Sequence, residues 1–153
     1  MKKKANRAAL TAVFMACALS LMADGRTAEN DDLVIQIKDV SESGRFYPIS
    51  VDGMKMEVIA IRASDGTVRT AFNACRVCYS SGRGYYKMDQ GVLVCQNCGN
   101  RFGAESVETQ SGGCSPVPIF GDDKSVTNDT IVISRGYLRR AKTLFDGWKA
   151  EYE

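Results

Sequence analysis

Five cysteines constrain the fold of this chain more than any other feature: Cys75, Cys78, Cys95, Cys98 and Cys114. Their spacing is C-x2-C-x16-C-x2-C-x15-C. Two C-x-x-C pairs this far apart read as a four-thiolate metal site, by default zinc. The reason is geometric. Each C-x-x-C turn aims two sulfurs at one point, and a hairpin between the turns can bring both points together. Backbone N–H groups in such turns can also donate to the thiolates. Gly99, just after Cys98, permits the positive φ that closes such a turn.

Two other uses of the cysteines compete. Small exported domains use disulfides as staples, but an odd count of five leaves one thiol over. Pairing within each C-x-x-C would close only short loops, which restrain the unfolded chain little. Thiol–disulfide exchange through one C-x-x-C belongs to a βαβ setting, and neither motif here precedes a helical pattern. The absence of histidine narrows the chemistry further. It removes Ser-His-Asp and Cys-His catalysis, histidine metal ligands and c-type haem attachment. What remains is mainly thiolate and carboxylate chemistry.

The formal net charge of +2 misleads. Lys2, Lys3, Lys4 and Arg7 precede the first apolar run, and removing them leaves 16 basic against 18 acidic residues. A domain so near neutrality offers no electrostatic case for nucleic acid. The basic start is followed by 16 uncharged, largely apolar residues, Ala8 to Ala23. A spanning helix needs about 20, so residues 1–23 read as a signal peptide, with an uncleaved anchor as the alternative. Lipid attachment at Cys17 is a third option, although Phe14 and Met15 suit a lipobox poorly. No twin-arginine pair precedes the apolar run. Residues 24–32 form a polar linker, and residues 33–153 a single metal-binding domain. Each of these readings places the domain outside the cytoplasm.

Within that domain the patterning is mostly β. Leu33 to Lys38 is β-prone. Tyr47 to Val51 and Met54 to Arg62 flank Asp52-Gly53, a hairpin signal. Met54, Met56, Val58 and Ala60 alternate with Lys55, Glu57 and Ile59, as on a half-buried strand. Val68 to Phe72 follows another turn, Tyr85 to Met88 and Val92 to Val94 form a third hairpin, and Ile131 to Ile133 is a short strand. Ser134 N-caps a helix expected over Arg135 to Lys149. Leu138, Ala141, Leu144, Phe145 and Trp148 fall on one face of it, to pack on the sheet.

The motifs C-R-V-C-Y, C-Q-N-C-G-N-R-F and G-G-C-S-P-V-P resemble those of the FtrD-like family of membrane iron–sulfur proteins. The resemblance covers about residues 45–150. It implies an exported or membrane-attached iron–sulfur protein, which we read as an electron carrier more than as an enzyme with its own substrate. It further implies association with a ferrous-iron uptake system: an iron permease, a periplasmic iron-binding protein and a cupredoxin-like oxidase. The expected centre is an iron–sulfur cluster on Cys75, Cys78, Cys95 and Cys98, with zinc as the alternative. Cys114, which the family motif includes, is expected beside the cluster.

A weaker similarity is to the Rieske domain, through the strand Gly91-Val92-Leu93-Val94 before C-x-x-C-G-x-x-F. There two histidines bind one iron. Here Cys98 stands where the second-motif histidine would stand, so a shared fold would carry an all-thiolate site. Two histidines raise a two-iron potential to about −150 to +300 mV, whereas all-cysteine plant-type centres lie near about −400 mV; a low potential is expected. The fold class is therefore mainly β (α+β): a small antiparallel domain with a Rieske/rubredoxin-like two-knuckle metal lobe and a C-terminal helix. Tyr79, Tyr85, Tyr86 and Phe102 are expected to shield the site from water. Asp122-Asp123 and Glu29 to Asp32 could offer hard oxygen ligands, but read as solvated loops.

Overall fold

The computed structural model describes residues 31–110 and 112–150. The readings of residues 1–23, including Cys17, lie outside them. Ten strands and one short helix follow in chain order. They are β1 (Leu33–Gln36), β2 (Arg45–Val51), β3 (Met54–Arg62), β4 (Val68–Cys75), β5 (Tyr86–Asp89), β6 (Val92–Cys95), β7 (Arg101–Phe102), β8 (Pro116–Pro118), β9 (Ser125–Val126), β10 (Thr130–Ile133) and α1 (Arg135–Arg140). All pairing is antiparallel. The domain is mainly β with one short helix, as the patterning indicated.

The central sheet runs β2-β3-β4-β8, flanked by β1-β10-β9 and by β5-β6-β7. Two hairpins follow from two-residue turns. Asp52-Gly53 has φ of +50° and +79°, and Gln90-Gly91 has +47° and +80°. Positive φ at both central residues matches the right-handed twist of the flanking strands, so Val51 pairs Met54 and Asp89 pairs Val92.

The central sheet separates two cores. Period-two alternation sends Val58, Ala60, Phe72 and Ala74 to one face, where Leu33, Ile35, Ile131, Ile133, Leu138 and Phe145 join them. Ile59, Ile61, Ala71 and Cys75 point to the other, against Tyr86, Leu93 and Cys95. The expectation that Ile59 lies on a solvated face is therefore corrected. A second layer, the sheet β5-β6-β7, covers that face, and both sides of β4 are buried.

The C-terminal helix is also shorter than expected. Ser134 Oγ does accept the N–H of Tyr137, as an N-cap, but the α-helix ends at Arg140 and a 3-10 turn spans Lys142–Phe145. Tertiary docking overrides the helical pattern. Trp148 Nε1 donates to the Asn73 carbonyl at 2.7 Å, and Lys149 N–H to the Gly82 carbonyl at 2.9 Å. Gly147, at φ +66°, makes the required reversal. The apolar face still packs as expected, with Leu138 and Phe145 buried in the first core. Strand β8 was not foreseen, because its two prolines read against a strand. It lies at the sheet edge, where missing N–H donors are tolerated.

Candidate metal centre

Each C-x-x-C begins at the end of a strand. Cys75 closes β4 and Cys95 closes β6. After Cys78 the chain enters a 3-10 turn, Tyr79–Ser81, fixed by Ser81 N–H and hydroxyl bonds to the Cys78 carbonyl at 3.0 and 2.7 Å. After Cys98, Gly99 takes φ +75° and its N–H donates to the Cys95 carbonyl at 2.9 Å. This is the conformation the glycine was expected to supply. Neither pair opens an α-helix among the described residues.

The two turns are held face to face by the backbone between them. Cys75 N–H donates to the Gly84 carbonyl at 2.6 Å, and Gln96 N–H to the Tyr85 carbonyl at 2.8 Å. Tyr86 lies opposite Cys95 in the β5–β6 ladder. Gly84 passes so close to Cys78 that an added Cβ would meet its carbonyl carbon and oxygen at 2.3 Å. Cys114 arrives by a different route. Cys75 pairs Pro116 where β8 meets β4, and Arg76 N–H donates to the Ser115 carbonyl at 3.0 Å. That pairing brings Cys114 over the knuckles.

All five sequence-predicted cysteines thus meet. Their sulfurs fall into two groups that share Cys78: Cys75, Cys78 and Cys95, and Cys78, Cys98 and Cys114, each with all sulfurs within 4.8 Å of one another. The Cys78 and Cys114 sulfurs are 3.7 Å apart. The first group is buried. In the second, Cys98 is exposed and Cys114 half-buried. None of the five is in a disulfide. Asp122 and Asp123 lie in a 3-10 turn, the first exposed and the second half-buried, and join neither group.

Backbone donors converge on the two buried leading cysteines. Cys75 receives the N–H groups of Cys78 and Val77, and Cys95 those of Cys98 and Asn97. At Cys75, burial pushes the thiol up, but the Tyr86 hydroxyl and these N–H groups outweigh it and hold it below the usual thiol range. At Cys95, burial dominates and pushes it up to about 12. Burial also raises Cys78. At Cys98, burial is outweighed by the Asn100 N–H and the neighbouring thiols, and the net direction is down. Contacts with Cys98 and Cys78, then burial, push Cys114 up to about 12. Several thiols crowded together cannot all ionise without a cation, and a metal ion supplies that cation. An all-thiolate donor set with preformed N–H donors fits an iron–sulfur cluster, which takes four cysteines, and also fits zinc.

The aromatic shield is half of what was expected. Tyr86 is buried, donates its hydroxyl to the Cys114 carbonyl at 2.6 Å, and packs edge-on to Phe102. Tyr79 instead packs on the first core, and Tyr85 against Trp148. The rings diverge because Tyr85 and Tyr86 are consecutive and point to opposite sides. Two residues that hold the site were missed. Asn73, fully buried in β4, bonds both Tyr86 and Glu57. Its signal was a lone amide in an apolar strand two residues before Cys75. Nothing local in the sequence marks the close approach of Gly84 to Cys78.

A small antiparallel β domain with five clustered thiols defines a cysteine-based metal-binding protein. The chain belongs to the FtrD-like family: residues 37–145 match the family described as membrane iron–sulfur containing protein FtrD-like. No curated protein and no solved structure matches it. The family is iron–sulfur containing by description, and the cysteine groups of this chain are able to bind a metal. No helix among the described residues is long and apolar enough to cross a membrane.

Proposed function

We propose that this chain is an exported electron-transfer protein, acting in the periplasm or at the outer face of the cytoplasmic membrane beside an iron-uptake system. Cys75, Cys78, Cys95 and Cys98 hold its iron–sulfur cluster. When bound, such a cluster accepts and returns an electron without a substrate of its own. The protein's residues bind it, donate N–H groups to its thiolates and exclude water on the buried side through Tyr86, Leu93 and Phe102. The observation that carries this reading is the pairing of two knuckles, each presenting its own backbone donors to a buried thiolate, in a chain of an iron–sulfur family. The proposed partners are an iron permease and periplasmic iron- and copper-binding proteins.

A structural zinc site is the second reading. It is favoured by the compactness of Cys75, Cys78 and Cys95, whose sulfurs lie within 4.8 Å of one another, as around a single ion. Anaerobic purification of the full chain, followed by metal and sulfide analysis and visible spectra with and without dithionite, separates the two. Iron with matching sulfide and a bleachable band is expected. One zinc per chain and no colour would overturn the redox reading.

A further inference from the structure

Five sulfurs converge where a zinc site or an iron–sulfur cluster takes four cysteines. We propose that Cys98 and Cys114 are interchangeable ligands, either of which completes the outward-facing position of the thiolate centre. The proposal rests on the centre described above and concerns how its solvent side is closed.

The three inner sulfurs leave no choice. Cys75, Cys78 and Cys95 are each less than one-tenth exposed and lie within 4.8 Å of one another. Each outer sulfur reaches two of the inner three: Cys98 contacts Cys78 and Cys95, and Cys114 contacts Cys78 and Cys75. Both lie within 4.8 Å of Cys78 and of each other. The Cys78–Cys114 separation of 3.7 Å equals what two thiolates on one tetrahedral metal show, about 3.8 Å for a metal–sulfur bond of about 2.3 Å. Cys114 is thus at ligand distance from an inner sulfur, although it lies outside both C-x-x-C pairs.

The two outer thiols also come from independent pieces of backbone. Cys98 sits on the second knuckle, closed by Gly99. Cys114 follows Gly112 and Gly113, at φ +136° and +56°, and precedes β8. One can therefore bind while the other withdraws, without disturbing the first knuckle. The thiol that is not bound stands at the exposed side. An ion arriving from solvent meets two thiols there before it reaches the buried three, and each ligand exchange replaces one metal–sulfur bond by another: the incoming thiol gives its proton to solvent, the departing thiolate takes one up, and no oxidation state changes.

The test uses the full chain, loaded anaerobically with iron and sulfide and, separately, with zinc. Cys98→Ser and Cys114→Ser are each expected to keep wild-type metal per chain, and the double variant to lose it. If either single variant alone loses the metal, or the double variant keeps it, the proposal is overturned. A second measurement needs no variant. Iodoacetamide applied to the loaded wild type is expected to label one thiol among Cys75 to Cys114, divided between Cys98 and Cys114. Label confined to one of them overturns the proposal. The iron–sulfur reading fails separately, through a wild type that takes zinc but not iron and sulfide; the ligand count is then still read with zinc. A wild type that holds neither metal overturns both.

Discussion

Asn73 and Tyr86 bond each other twice. Asn73 Oδ1 accepts the Tyr86 N–H at 2.6 Å, and Asn73 Nδ2 donates to the Tyr86 carbonyl at 3.2 Å. The same amide nitrogen donates to Glu57 at 2.5 Å. Asn73 is fully buried and stands two residues before Cys75, while Tyr86 faces Cys95 across the β5–β6 ladder. One side chain therefore ties β4, which delivers the first knuckle, to β5, whose ladder partner β6 delivers the second.

Asn73→Ala leaves the Tyr86 N–H and carbonyl without partners in a dry interior. An unsatisfied buried group costs about 1–3 kcal/mol, so a loss of about 2–4 kcal/mol is expected in urea unfolding of the metal-loaded chain. Asn73→Asp retains the acceptor but loses the donor and sets a carboxylate against Glu57, so it is expected to be destabilised too. Unchanged midpoints in both variants would show that the strands hold their spacing without the amide.

Gly84→Ala tests the closest backbone approach in the site. Its Cβ would meet the Cys78 carbonyl group at 2.3 Å and the Tyr79 nitrogen at 2.5 Å, all backbone atoms, with no flexible side chain to yield. The first knuckle must move, and the bond from Cys75 N–H to the Gly84 carbonyl is disturbed. Metal per chain is expected to fall well below wild type, while Gly66→Ala, which meets nothing within 4 Å at a turn with φ +82°, should cost only its backbone strain and leave metal content alone. Equal metal content in the two variants would refute this account.

What could be read from the sequence was local. Asp52-Gly53 between apolar runs announces its hairpin because two-residue loops demand positive φ, and the cysteine spacing announces clustered thiols because a short turn fixes where two sulfurs aim. What depended on distant partners was hidden. Ile59 looked half-exposed because nothing near it in sequence tells of the second layer over β3. The helix pattern runs on to Lys149, but Trp148 is taken by the Asn73 carbonyl. The position of Cys114 follows from β8 pairing with β4 across more than forty residues, a pairing its prolines disguise. Glu108 shows the same limit. Held at φ +64°, it accepts the Thr70 N–H at 2.5 Å and pairs with buried Lys124, fastening the segment before Cys114 to β4.

Cys95→Ser removes a buried thiol that belongs to the inner group. The serine oxygen is a poor ligand for a soft metal site, and the remaining thiols then lose the cation that holds them together. Lower metal content, lower solubility and a lower melting temperature are expected together. An unchanged melting temperature would mean that the metal does not stabilise this fold.

Asp52 gives the acid response. Arg139 bonds its carboxylate, with Arg135 and Lys142 close by, at 2.9, 3.1 and 3.5 Å. The Arg139 hydrogen bond outweighs desolvation and holds the carboxyl well below the usual carboxylate range. A depressed folded-state pKa contributes stability that is complete above the unfolded value, about 3.9, and is lost as pH falls through the folded value. Asp52→Asn keeps a residue that favours this turn and removes only the charge. Wild type is expected to exceed the variant in melting temperature at neutral pH by a small constant margin, which closes only in acid below about pH 4. A margin that closes near neutrality would assign it to another group.

Tyr86→Phe isolates one hydroxyl. It donates its one proton to the Cys114 carbonyl at 2.6 Å, and its O–H dipole lies beside the Cys75 sulfur, where it favours the thiolate. Polar groups beside cluster sulfurs stabilise the more negative, reduced state. Without the hydroxyl the loaded protein is expected to have a more negative reduction potential in a dye-mediated titration, with metal content unchanged because no ligand is lost. The Cys114 carbonyl also loses its donor, so the Gly112–Cys114 turn is held less firmly and Cys114 should react faster with iodoacetamide in the metal-free chain. A potential equal to wild type would confine Tyr86 to packing, and a faster Cys114 alone would leave it as the strut that places that loop over the knuckles.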